Sequence, residues 1–134
     1  EGVNRVEGLR SLPVDERLTQ WGCYFFVIAF DAAAFGCSRD AFVQALRAEG
    51  VVWTTTGYNR PLYHEAAFSE EAMRPLLHES VPLPDYGQMR LPNAERWGTS
   101  MVTILHYYLL GDRSGIDYIL EAIHKVKQHV DELK

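Results

Sequence analysis

The hydrophobic residues of this chain gather in a few blocks, and the block over residues 22–56 sets the pattern for the rest. Tyr24-Phe25-Phe26-Val27-Ile28-Ala29-Phe30 is an unbroken apolar run of aromatic and β-branched residues. Its length suits a strand, and its lack of polar alternation predicts cover on both faces. Residues 31–36 turn the chain. Ser38 is placed to cap a helix over 39–49, with Gly50 following as its stop. Phe42, Ala45 and Leu46 give that helix an apolar stripe. Val51-Val52-Trp53-Thr54-Thr55-Thr56 reads as a second strand. Each large side chain fully buried in the first strand contributes on the order of 1.5–3 kcal/mol, so this segment can anchor a small core.

On either side the pattern is looser. Residues 1–20 are broken by Gly2, Gly8 and Pro13, with Val3, Val6, Leu9 and Leu12 available to cover an edge. Residues 58–64, Tyr-Asn-Arg-Pro-Leu-Tyr-His, form a polar and aromatic loop. A helical turn is expected over 69–74. Pro75, Pro82, Pro84 and Pro92 then hold an irregular connection over 77–91. A second helical turn is expected over 93–99, and a third strand over 101–106. Residues 111–113 turn. Ser114 and Asp117, at capping-box spacing, are expected to open a last helix over 114–133. Its apolar face is Ile116, Ile119, Leu120, Ile123, Val126, Val130 and Leu133. The long proline-punctuated stretch between Glu65 and Leu91 is of a size that tends to be functional or to lie against a partner. The whole reads as one α+β domain over 1–134. Residues 1–20 serve as a lead-in, and 21–134 hold a sheet of about three strands with packed helices.

Composition narrows the possibilities. The 134 residues are 47% hydrophobic and 12% aromatic, which suits a packed globule. The formal net charge is -5 and the basic residues form no stripe, so nucleic acid is not expected as a partner. No run is long enough to span a membrane, and no signal-peptide pattern opens the chain. The two cysteines are read as free cytosolic thiols, Cys23 within the buried strand and Cys37 beside a helix start, with a disulfide as the alternative. A cytoplasmic location follows. The chain starts without Met, as a piece of something longer would.

Candidate chemistry is sparse. His124 and His129 stand five apart on the last helix, and His78 is isolated, so neither arrangement holds a metal. There is no CxxC, HExxH, GxSxG or glycine-rich phosphate loop. His106 closes the third strand beside Tyr107 and Tyr108; it is either a hydrogen-bonded strand-end histidine or a substrate-facing one. The loop holding Tyr58, Asn59, Arg60, Tyr63 and His64 offers phenols, an amide, a guanidinium and an imidazole within seven residues. Such groups suit a polar, hydroxylated ligand; the alternative is a turn whose tyrosines pack on the core. Lys125, Lys127 and Lys134 are the only lysines, and all are read as a solvated helix face. None has the buried apolar setting of a Schiff-base lysine.

Four segments in order resemble one family. LRSLPVDERLT at 9–19 resembles the segment that enters the small C-terminal domain of the DegT/DnrJ/EryC1/StrS family of PLP-dependent sugar and cyclitol aminotransferases. The apolar strand followed by SRDAFVQALRAEGV resembles that family's strand and S-R-D-x-F-x-x-x-L-x-x-E-G-[IV] pattern. GYNRPLYHEAAF is similar to its x-P-L-H loop, with Tyr63 where many members have the histidine and His64 one step on. LPNAERWGTSMVTILHYYLLGDRSGIDYILEAIHKV resembles its closing segment, and the H-x-x-L-L-G form at 106–111 is closer to the cyclitol and aminobenzoate-type branch.

The resemblance implies a parent enzyme that passes an amino group from glutamate or glutamine to a keto-sugar or keto-cyclitol through PLP. This chain would be its small domain, covering the active site and turning Tyr58, Asn59, Arg60, Tyr63, His64 and His106 toward substrate. No catalytic, cofactor-binding or metal-binding residue is expected in the chain itself. The aldimine lysine and PLP would belong to a large domain of the same polypeptide, and the full enzyme would be a homodimer. The competing expectation is a stand-alone α+β module for a small ligand or for protein interaction.

Overall fold

The structure is a computed structural model that describes residues 1–134. The chain divides into two units, Glu1–Gly57 with Ser100–Lys134, and Tyr58–Thr99.

The first unit is built on a four-stranded antiparallel sheet in the order β1-β2-β4-β3. The strands are β1 (Leu9–Ser11), β2 (Phe25–Phe30), β3 (Thr54–Thr55) and β4 (Met101–Leu105). The class is therefore α+β, as the sequence predicts, with one strand more than expected. Register places Leu9 opposite Phe30, Ile28 opposite Val102 and Thr54 opposite Ile104. Leu9, Ile28, Phe30, Val102 and Ile104 are all buried.

The extra strand, β1, comes from the segment expected to be a lead-in. No alternation marks it; a turn makes it. Gly8 sits at φ 84 and its carbonyl accepts the Asp31 N–H at 2.8 Å. A Cβ on Gly8 would lie 2.5 Å from the Phe35 nitrogen, so only glycine lets the two backbones approach. The strand expected over 51–56 shrinks to Thr54–Thr55. Its first half is spent closing a helix: the Val51 N–H donates to Leu46, and Thr54 returns both its N–H and its hydroxyl to the Val51 carbonyl. The central strand is also less enclosed than its apolar run predicts. Ile28 and Phe30 are buried, whereas Phe25, Val27 and Ala29 on the other face are half-buried. One-sided packing is common for antiparallel sheets.

Five helices accompany the strands. A single turn, α1 (Ala32–Phe35), stands where a bend was expected, because the Asp31 carboxylate accepts the N–H groups of Ala33 and Ala34. In α2 (Arg39–Ala48) the Ser38 hydroxyl accepts the Ala41 N–H at 3.1 Å, and Gly50 follows at φ 91. The last helix, α5 (Arg113–Gln128), is capped by Asp112, two residues before the expected Ser114. The Asp112 carboxylate takes both the Ser114 N–H and its hydroxyl, and Asp117 pairs with Arg113 instead. The predicted helix over 114–133 ends at Gln128, and a 3-10 turn (Val130–Leu133) completes it.

Phe30, Phe35 and Phe42 form the centre of the core, with ring centroids 4.8–5.2 Å apart. Ile119, Ile123 and Val126 of α5 close over it, with Val3 and Val6. Cys23 is half-buried just ahead of β2 rather than within it, and Cys37 is buried; both thiols are free, and burial pushes both up. No helix is long and apolar enough to cross a membrane.

The second unit has no strand. It is a succession of 3-10 turns at Leu62–His64, Ala66–Phe68, Arg74–Leu76 and Tyr86–Gln88, with α3 (Glu70–Met73) and α4 (Pro92–Ser100). The Ser69 hydroxyl caps α3 through the Ala72 N–H. Tyr63 and Gly98 are its two buried residues.

Candidate functional site

The loop over 58–64 is shaped by Pro61, whose carbonyl accepts the His64 N–H at 3.0 Å and so closes the Leu62–His64 turn. That turn drives Tyr63 inward and leaves Leu62 and His64 outside. The Tyr63 hydroxyl donates to Glu95 Oε1 at 2.5 Å and accepts the Leu91 N–H at 3.3 Å. The loop is thereby pinned to α4 and to the residue before it. Burial, together with the Glu95 carboxylate, pushes the Tyr63 phenol above its ordinary value.

Gly98 completes the arrangement from α4. A side chain there would meet the Asn59 carbonyl oxygen at 2.9 Å and the Asn59 carbonyl carbon at 3.1 Å. Arg60 is held by Glu65 in a two-pronged ion pair, Nε to Oε1 at 2.6 Å and a terminal nitrogen to Oε2 at 2.9 Å. The pair raises Arg60 and holds the Glu65 carboxyl below its usual range. Both groups are about half exposed, so water screens much of their attraction. Tyr58 is 73% exposed, and Asn59 and His64 are exposed. The His64 ring meets the Tyr63 ring edge-on, with centroids 4.5 Å apart.

A cleft of about 520 Å³ lies beside the loop. Its walls include Glu65, Phe68, Ser69, Arg74, Asp85 and Tyr86. The mix of carboxylates, a guanidinium, a hydroxyl and aromatic rings can hydrogen-bond and stack against a polar molecule. Residues 58–99 contain no lysine, so this unit has no amine for a Schiff base.

His106 belongs to the other unit. Its Nδ1 lies 3.1 Å from the Tyr24 carbonyl oxygen and its ring lies 4.4 Å from that of Tyr107. A proton on Nδ1 fits this contact and leaves Nε2 as an acceptor. Of the six residues singled out in the sequence, five therefore share one unit and His106 stands in the other. The residues that sequence reasoning missed are Glu65 and Glu95, which hold Arg60 and Tyr63. Glu95 is 32 residues from its partner, and no local pattern links them.

Each of the three lysines makes a polar contact within the chain. Lys125 pairs with Glu49 at 2.7 Å, and Lys134 pairs with Asp131. Lys127 is not on a solvated face, as the sequence suggests. Its Nζ donates to the carbonyls of Ala34 at 3.1 Å and Phe35 at 2.8 Å, at the end of α1, and lies over the Phe35 ring. A cation there satisfies carbonyls that a short helix leaves open. No three His, Cys, Asp or Glu side chains converge on a metal-holding point.

No family model matches the chain. Individual proteins do. The chain is 29% identical, over its whole length, to a protein of Streptoalloteichus tenebrarius named as an L-glutamine:3-amino-2,3-dideoxy-scyllo-inosose aminotransferase. It is 29% identical over its whole length to a protein of the same name from Micromonospora echinospora, and 30% identical over 98% of its length to one from Streptomyces kanamyceticus. In each case the chain spans about a third of the relative's length (33%). End to end, then, the chain is similar to a stretch of these aminotransferases, in keeping with the four ordered segments that resemble the DegT/DnrJ/EryC1/StrS type.

Proposed function

We propose that this chain, residues 1–134 as a whole, is the small C-terminal domain of a PLP-dependent aminotransferase that acts on a keto-cyclitol or keto-sugar, with glutamine or glutamate as amino donor. The observation that carries the reading is the match itself: essentially all of this chain aligns with a third of relatives named as cyclitol aminotransferases. The lysines support the same division of labour, since each is engaged in a structural contact. PLP, which acts as the electron sink in transamination, then belongs to the large domain of the same polypeptide, and the full enzyme is a cytoplasmic homodimer. No step of the reaction is assigned to residues of this chain.

Its part is to cover the active site and to meet substrate through Tyr58, Asn59, Arg60, Tyr63, His64 and His106. Within that set the geometry suggests distinct tasks. Tyr63 holds the loop by its bonds to Glu95 and Leu91, while Tyr58, Asn59 and His64 present amide, phenol and imidazole to a hydroxylated ring. Arg60 reaches a ligand carboxylate or hydroxyl only by sharing or leaving Glu65.

The test is the intact mass and visible spectrum of the protein expressed from its native gene. A species much heavier than 15.3 kDa, with a PLP absorption band that borohydride abolishes and glutamine-dependent amination of a keto-cyclitol, is the expected result. A native product of 15.3 kDa without that band overturns the reading and leaves a stand-alone module.

A further inference from the structure

At one end of the β2–β4 pair, three aromatic side chains stand outside the core. Tyr24, just before β2, is 66% exposed; Trp53, just before β3, is 58% exposed; Tyr107, just after β4, is 61% exposed. Backbone bonds bring them to the same end of the sheet. The His106 N–H donates to the Tyr24 carbonyl at 3.4 Å, and the Leu105 N–H donates to the Trp53 carbonyl at 3.2 Å. The His106 ring lies between its neighbours, 5.7 Å from the Tyr24 ring and 4.4 Å from the Tyr107 ring. The Trp53 N–H donates to the Tyr108 hydroxyl at 3.3 Å. Tyr24 also meets the Phe25 ring edge-on, with centroids 4.4 Å apart, yet each of the three rings keeps more than half of its surface open. Val52 beside them is 55% exposed, and the row holds no Asp, Glu, Lys or Arg. Trp and Tyr without fixed charge are the composition of an interface centre.

We propose that this aromatic row docks the remainder of the same polypeptide. The inference rests on the reading of the chain as one domain of a longer enzyme: it spans 33% of the relatives' length, so most of such a protein lies beyond these residues. Size favours a tethered partner over a second copy. Three rings at these exposures present roughly 400 Å². Separate chains that associate stably bury roughly 800 Å² each. A covalently linked domain needs less, because the tether supplies an effective concentration in the millimolar range.

Hydroxyl-radical footprinting of the full native polypeptide, read by mass spectrometry, tests this. Oxidation of Tyr24, Trp53 and Tyr107 in the native protein is compared with the urea-unfolded polypeptide, and Tyr118 on α5, 49% exposed, serves as a reference. The expected result is strong protection of all three rings, on the order of tenfold, while Tyr118 stays reactive. A long native polypeptide in which the three rings oxidise as readily as Tyr118 overturns the docking proposal alone. Protection that vanishes on dilution to the monomer assigns the row to a second copy and also overturns it. A native product of 15.3 kDa removes the partner and overturns both this proposal and the parent-enzyme reading.

Discussion

The two units of this chain hold themselves together by different means. Glu1–Gly57 with Ser100–Lys134 is a sheet with helices closed over a phenylalanine cluster, and most of its buried residues are aliphatic or aromatic. Tyr58–Thr99 has two buried residues, and its turns are joined by directed polar contacts: Tyr63 to Glu95, the Leu91 N–H to Tyr63, and Arg60 to Glu65. Apolar packing is non-directional and tolerates repacking, whereas a few hydrogen bonds place side chains in one arrangement. The second method fixes side-chain positions with little apolar burial, and little burial goes with low local stability. The first unit is thus the one with the apolar core, and the second the one that rests on polar contacts.

The sharpest break in this comparison is a hole in the scaffold. Phe42→Ala removes the ring that touches both Phe30 and Phe35, and is expected to cost about 3–5 kcal/mol in denaturant unfolding. Gly98→Ala probes the other unit. Its new methyl would press on the Asn59 carbonyl, and a cost of about 1–3 kcal/mol is expected, seen as protease sensitivity within 58–99 while near-UV signals of the phenylalanine core persist. Loss of both together would show that the two units unfold as one. Ser38→Ala removes the α2 cap, and a loss of about 1 kcal/mol should appear as a lowered midpoint with an unchanged denaturant slope.

The smaller effects concern pH and the polar lattice. Tyr63→Phe keeps the ring and deletes the hydroxyl; amide exchange at Leu91 should accelerate several-fold while exchange in β2 and β4 is unchanged. The Tyr63 phenol is raised in the folded protein, so its contribution is whole below the unfolded tyrosine value near 10 and is lost as pH rises through its folded value. Its phenolate absorbance should therefore appear after that of the exposed tyrosines. Glu65 shifts the other way. Its carboxyl is lowered by Arg60, so its contribution is present above the unfolded value near 4.3 and fades as pH falls through the folded one. Glu65→Gln should flatten that acid limb slightly, measured by the pH dependence of protease nicking in 58–99.

Much of the scaffold was legible because local chemistry dictates it. The Ser38 cap and the Gly50 stop bracket α2 at both ends, and the apolar spacing of α5 marks the face that is buried. Proline density correctly marks 77–91 as irregular, since no strand and no α-helix lies there. The Ser114 cap failed by two residues because the Asp112 carboxylate accepts the Ser114 N–H and hydroxyl, which takes Ser114 into the first turn of the helix it was expected to cap. β1 was not legible, since three residues with no alternation become a strand only when a partner lies alongside. For the candidate site, residue types in the 58–64 loop pointed to hydrogen-bonding chemistry. The sequence did not show that Tyr63 is turned inward, or that Arg60 already holds a carboxylate.

By itself, then, the sequence determined the class of the fold, the ends of α2, the apolar face of α5 and the resemblance to an aminotransferase family, because each depends on residues close together or on ordered motifs. The tertiary structure decided the fourth strand, the place of Lys127 at the end of α1, the Tyr63–Glu95 bond and the exposed row of Tyr24, Trp53 and Tyr107. Those features join residues tens of positions apart, and long-range closure follows from the packing of the whole chain rather than from any local pattern.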